Sequence, residues 1–168
     1  KLFQNLYFFR NTKDYNMKSQ GGILMNNKVY LCIDLKSFYA SVECVERGLD
    51  PFKINLVVAD PTRGGGAITL AATPAIKQLG VPSRGRIYEI PKDIEYITAT
   101  PRMTLYMKYS AKIYSIFLKF ISSEDIHVYS IDESFLDITS YLSLYKMNAK
   151  QLAKTIIDEI YNVTGNKF

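Results

Sequence analysis

Three acidic side chains stand where the sequence offers chemistry. Asp34 closes the apolar run Val29-Tyr30-Leu31-Cys32-Ile33, and Asp132-Glu133 sit between two further apolar runs, Ile126–Ile131 and Ser134–Ile138. Taken singly, an Asp at a strand end often caps a helix or forms a turn, and an Asp-Glu pair in a hairpin is often just solvated. Brought together, the three repel and raise one another's pKa unless a cation intervenes. Oxygen donors without histidine or thiolate favour Mg²⁺ or Mn²⁺ over zinc. Two such ions roughly 3.5–4 Å apart align a hydroxyl with an α-phosphate and neutralise charge on a leaving pyrophosphate.

Other chemistries find little support. Cys32 and Cys44 lie in no CxxC or Cys/His cluster, so structural zinc and redox catalysis fit poorly and reduced thiols of a cytoplasmic protein fit best. His127, the only histidine, falls inside the strand-like His127-Val128-Tyr129 and reads as an ordinary strand residue rather than a member of a nucleophilic triad. Gly64-Gly65-Gly66 lacks a following Gly-Lys-Ser/Thr, so it reads as a turn and not as a phosphate-binding loop.

Positioning these carboxylates requires a sheet. The apolar run at 29–33 predicts a buried strand, and Ser37 is placed to cap a helix with Phe38, Val42 and Val45 at helical spacing before Gly48 and Pro51 stop it. Strands are expected at 55–59 and 67–71, a turn at 61–66, a short helix at 74–79, and weaker extended segments at 86–90 and 96–99. A long amphipathic helix follows over 103–121, then two strands meeting at Asp132-Glu133, then a helix from Asn148 to near Gly165.

With about 40 to 100 set aside as an insertion, the order is strand, helix, strand, strand, helix. That is an α/β (α+β) arrangement, a ferredoxin-like βαββα sheet lacking its last strand. In this layout the first strand is central, with the first strand of the hairpin as one neighbour, so Asp34 and Asp132-Glu133 converge on one sheet edge. Residues 1–27 show no clean period and no signal-peptide pattern, and read as a leader or disordered extension.

The chain has 168 residues, enough for about one domain, with 48% hydrophobic and 22% charged residues. This is a globular composition, and no stretch approaches the roughly 18 apolar residues of a spanning helix. A net charge of +5 is a modest excess that suits a polyanionic partner.

The segments Ile33-Asp34-Leu35-Lys36-Ser37-Phe38-Tyr39-Ala40-Ser41-Val42-Glu43 and Tyr129-Ser130-Ile131-Asp132-Glu133-Ser134-Phe135-Leu136-Asp137 resemble the two signature motifs of Y-family translesion DNA polymerases. Leu70-Ala71-Ala72-Thr73-Pro74-Ala75-Ile76-Lys77 resembles the UmuC-like branch, the ultraviolet-damage repair proteins of Gram-positive bacteria. The resemblance runs from about Lys28 to Gly165.

It implies a palm at 28–39 and 100–168, a fingers insertion at 40–99, and templated two-metal nucleotidyl transfer from a dNTP to a primer 3′-hydroxyl during lesion bypass in the SOS response. Mg²⁺ is the implied cofactor, as two ions, with Mn²⁺ a possible substitute. Asp34, Asp132 and Glu133 take the catalytic and metal-holding positions, and Leu35 offers a backbone carbonyl. Tyr39 takes the steric-gate position against a ribose 2′-hydroxyl, beside Phe38. Ala71, Ala72 and the glycine run would leave the fingers pocket open. Where many members bind the triphosphate with a tyrosine and an arginine, this chain has Pro74 and Lys77, and Arg63 is a substitute candidate. Arg84, Arg86, Arg102, Lys108, Lys112 and Lys119 are expected to solvate surfaces or touch template.

The family continues past Thr164-Gly165 into a last palm strand, a thumb and a little finger, and this sequence stops at Phe168. Primer–template DNA, a dNTP and, through that further region, a sliding clamp are the implied partners, and weak or no activity is expected of this portion alone. Two alternatives stay open: a non-catalytic remnant or interaction module, and a nucleotidyl cyclase-like two-metal enzyme.

Overall fold

The computed structural model describes residues 6–10 and 28–165. Two sheets organise the chain. The first runs in the order β1 (Leu6–Arg10), β2 (Val29–Asp34), β7 (Glu133–Asp137), β6 (Ile126–Val128), with all neighbours antiparallel. The second is a three-stranded unit in the order β4 (Ala71–Ala72), β3 (Leu56–Val58), β5 (Ile97–Ala99). Between β2 and β3 lies α1 (Phe38–Glu46), and α2 (Pro74–Gln78) follows β4. After β5 come α3 (Met103–Phe117), the β6–β7 hairpin, α4 (Thr139–Leu144) and α5 (Ala149–Thr164).

Alternation along β2 and β7 separates two faces, because successive side chains in a strand point to opposite sides. Leu31, Ile33 and Leu136 face inward and share a core with Ile113, Ile116 and Phe117 of α3 and Leu152, Ile156 and Ile160 of α5. Burying each such side chain stabilises the fold by about 1.5–3 kcal/mol. Leu56, Val58 and Ala99 of the second sheet belong to that same core, whereas Val57, Ala72, Ile76, Val81 and Ile90 form a separate cluster. α5 is fixed at its start by a capping box between Asn148 and Gln151 and ends at Gly165 in the left-handed conformation.

Several expectations change. The neighbour of β2 is the second strand of the hairpin, not the first: Asp34 pairs with Glu133 and Tyr30 with Asp137. The crossover through α3 skips one position and β7 folds back into the gap, as in a split βαβ unit. The other edge of β2 carries β1, in a stretch expected to be a leader or extension; a strand there satisfies backbone groups that an open edge leaves unpaired. Residues 1–5 and 11–27 of that stretch lie outside the described residues. The extended segment expected at 67–71 is reduced to a bridge between Ile68 and Arg86 and the two-residue β4, and 86–90 contains a 3₁₀ turn. β6 ends at Val128, and α4 was not foreseen. Among the described residues no helix is long and apolar enough to cross a membrane.

Candidate active site

The carboxylates gather where β2 and β7 end together. Asp34 and Glu133 are register partners, so their side chains project from the same sheet face, opposite the face packed on α3 and α5. The chain leaves β6 in a tight turn in which the N–H groups of Tyr129 and Ser130 both donate to the Glu133 carbonyl, at 3.0 and 3.1 Å. That turn carries Asp132. Its backbone carbonyl accepts from the Leu35 N–H at 2.9 Å, and its carboxylate accepts from the Ser130 hydroxyl at 2.7 Å. Leu35 itself is buried.

Burial and neighbouring charges both act on the Asp34 carboxylate. Burial raises the Asp34 carboxyl above its ordinary range, repulsion from Asp132 raises it further, and Lys36 and Lys77 act against both. Glu133 lies beside the buried Cys32, whose Sγ is 3.8 Å from a Glu133 carboxylate oxygen. Burial first, then the Glu133 charge, pushes that thiol up to about 11, so Cys32 is a protonated thiol and not a nucleophile. Cys44 is likewise free, buried and pushed up to about 11 by burial. His127 lies on exposed β6, its ring 6.5 Å from that of Phe135.

Among the described residues no group of three or more His, Cys, Asp and Glu side chains is drawn close enough to hold an ion by itself. The donor chemistry still fits a hard divalent cation: the coupled pair Asp34 and Asp132 consists only of oxygen donors, and their repulsion is what a cation relieves.

Ser37 departs from its expected role. It stands at the N-cap of α1 with φ 56° and ψ 29°, a left-handed backbone that a non-glycine residue seldom adopts, and its side chain caps nothing. Its hydroxyl instead accepts from the Lys77 ammonium at 2.8 Å, across from α2. Lys77 thus reaches the carboxylate end of the sheet. Burial lowers its pKa, Lys36 lowers it further, and Asp34 opposes them.

Tyr39 is half-buried, whereas the neighbouring Phe38 is buried in the core, so only the tyrosine ring is open to a ligand. The Tyr39 ring stacks on Tyr106 of α3 with centroids 4.5 Å apart and planes 13° from parallel. Burial and Asp132 raise the Tyr39 phenol while Arg84 lowers it, so both charges act at this ring.

Other expected site residues fall elsewhere. Arg63 is exposed in the Pro61–Gly66 turn, pairing with Asp60 at 3.5 Å. Ala71 and Ala72 are buried in β4; Ile68 and Leu70 are the exposed large hydrophobic side chains of that stretch. Gly64, with φ 59°, does need glycine. Of the basic residues, Arg102 is bound to Glu43, Arg86 donates to the Gly66 carbonyl, Lys112 to the Val163 carbonyl, and Lys119 pairs with Glu159. Lys36, Glu43 and Tyr106 are contributors that the spacing did not single out, while Ser37 was expected only as a helix cap and Arg84 only to solvate a surface or touch template; the i, i+4 relation of Glu43 to Tyr39 and to Arg47 was visible in one dimension.

An antiparallel sheet with acidic residues at one end, two helices behind it and a small three-stranded unit inserted after its first helix is the palm-and-fingers architecture of Y-family DNA polymerases. The chain superposes on a Y-family polymerase chimera of Dbh and Dpo4 with a TM-score of 0.67 at 25% identity, over 82% of this chain and 40% of that one. DinB from Sulfolobus solfataricus gives a TM-score of 0.64 at 25% identity, over 82% and 39%. Residues 33–168 match the impB/mucB/samB family, and the chain belongs to it.

Among relatives in Bacillus subtilis, UvrX, a UV-damage repair protein by its name, is 38% identical over 82% of this chain and 32% of its own length. DNA polymerase IV 2 is 35% identical over 84% and 34%. The DNA repair protein homolog YozK is 41% identical over 61% of this chain and 90% of its own length. The chain therefore spans about a third of the length of UvrX and of DNA polymerase IV 2.

Proposed function

We propose that the chain is the palm-and-fingers portion of a translesion DNA polymerase, working on primer–template DNA and a dNTP. The observation that carries this reading is the register pairing of Asp34 with Glu133 at the end of β2, with Asp132 in the adjoining turn and acting on Asp34, and Tyr39 and Lys77 set around them. Asp34, the Leu35 carbonyl, Asp132 and Glu133 would hold divalent metal. Mg²⁺ bound there supplies Lewis-acid stabilisation of an in-line phosphoryl displacement.

The protein's own groups do the rest. Asp34 and Asp132 would present their carboxylate oxygens at the open end of the sheet. Glu133, the first residue of β7, projects from the same sheet face as Asp34 and is assigned the uptake of the primer hydroxyl proton. Lys77, held by Ser37, gives a point charge to the triphosphate where an arginine fork is lacking. The half-buried Tyr39 ring, stacked on Tyr106, is assigned the role of gate against a ribose 2′-hydroxyl. The inserted three-stranded sheet favours a templated polymerase over a cyclase.

Primer extension with Mg²⁺ and four dNTPs, set against Asp132→Ala, tests the reading. Incorporation that is lost in the variant supports it, and equal incorporation by both proteins overturns the site. A cyclic product from a single triphosphate would move the assignment to a cyclase. Absence of Mg²⁺-dependent dNTP binding by calorimetry would leave a non-catalytic module.

A further inference from the structure

Glu43 is a wholly buried carboxylate that the proposed chemistry does not use. It lies one helical turn beyond Tyr39 on α1, so the two share a face, and Arg47 follows a turn later. One carboxylate oxygen accepts from Arg102 Nε at 2.9 Å and from the Tyr106 hydroxyl at 2.7 Å. The other accepts from Arg102 Nη2 at 2.7 Å and from Arg47. Tyr106, fully buried one turn after Arg102, forms the floor on which the Tyr39 ring stacks.

We propose that Glu43, tied to Arg102 and Tyr106, is the positioning base of Tyr39 and sets how deeply its ring closes on the sugar of a bound nucleotide. A purely apolar floor allows neighbouring rotamers at little cost, whereas four directed bonds to one carboxylate have a single good geometry. Removing one bond frees the Tyr106 ring to tilt, and a stacked ring 4.5 Å above it follows. Glu43, Arg102 and Tyr106 are thereby positioning residues for sugar discrimination, in contact with neither metal nor phosphate. The inference rests on the reading of Tyr39 as a sugar gate.

Calorimetry of dATP and ATP binding to this chain in Mg²⁺ tests it without requiring turnover, with Glu43→Gln, Tyr106→Phe, Arg102→Ala, Arg102→Lys and Tyr39→Ala compared after a melting check. The preference for dATP should fall about fivefold in Glu43→Gln, equivalent to about 1 kcal/mol, through tighter ATP binding at nearly constant dATP affinity. Tyr106→Phe should move it the same way by less, and Arg102→Lys should retain more of it than Arg102→Ala. An unchanged preference in Glu43→Gln and Tyr106→Phe, with Tyr39→Ala relaxed, overturns this proposal alone. If Glu43→Gln does not fold, Tyr106→Phe decides. An unchanged preference in Tyr39→Ala removes the gate and the proposal with it, and no dATP binding by the unsubstituted chain overturns both.

Discussion

Two carboxylate sites lie within reach of α1 and respond to burial in opposite ways. At the sheet end, burial and the nearby Asp132 raise the Asp34 carboxyl. One side of the same helix holds Glu43, where burial also opposes ionisation, but hydrogen bonds from Arg102, Arg47 and Tyr106 outweigh it and keep the carboxyl below its ordinary range. Burial alone therefore decides neither case. Glu43 has its cations built in, and Asp34 faces a like charge with only Lys36 and Lys77 to offset it. The first arrangement is structural, and the second is suited to a cation from solution.

The contrast can be broken from either side. Asp132→Ala should reduce Mg²⁺-dependent nucleotide incorporation or binding by at least about 100-fold, because charge stabilisation worth several kcal/mol is lost. The melting temperature should barely change, and a coupled loss of fold would erase the distinction. Glu43→Ala should do the reverse and destabilise by about 3 kcal/mol in urea titration, since it strands Arg102 and a buried Tyr106 hydroxyl.

Acid titration sharpens the same point. Glu43 has a lowered folded pKa, so its contribution is complete above the ordinary glutamate range and is lost as pH falls through the lowered value. The stability gap between the unsubstituted chain and Glu43→Gln should narrow below about pH 4. Asp34 has a raised folded pKa, so its ionisation penalises the fold above that value and the penalty vanishes as pH falls. Asp34→Asn should accordingly stabilise the metal-free chain at pH 7 by about 0.5 kcal/mol while removing any thermal shift on adding Mg²⁺. The smallest effect belongs to Lys119→Ala, whose exposed pair with Glu159 should be worth under about 0.5 kcal/mol in a double-mutant cycle.

The strands and helices that carry the acidic residues were legible, because apolar periodicity and turn residues are local signals. The long helix beginning at Met103 and the helix capped at Asn148 start where the pattern put them. Ser37 shows the limit. Its type and place predict a side-chain cap, yet its backbone sits at a positive φ and its hydroxyl accepts from Lys77. Ala71 and Ala72 show another: the resemblance implied that these small residues leave a pocket open, and pairing with β3 buries both.

By itself the sequence determined which residue types could do the chemistry, that they end apolar strands, and which family they resemble. Tertiary structure decided which strand lies beside β2, that β1 covers its other edge, that Lys77 joins Ser37, and that Glu43 is neutralised by Arg102 rather than left to water. The physical reason is range. Periodicity and capping act over a few residues, whereas strand order and charge pairing depend on which distant segments close the core, and one dimension does not hold that information.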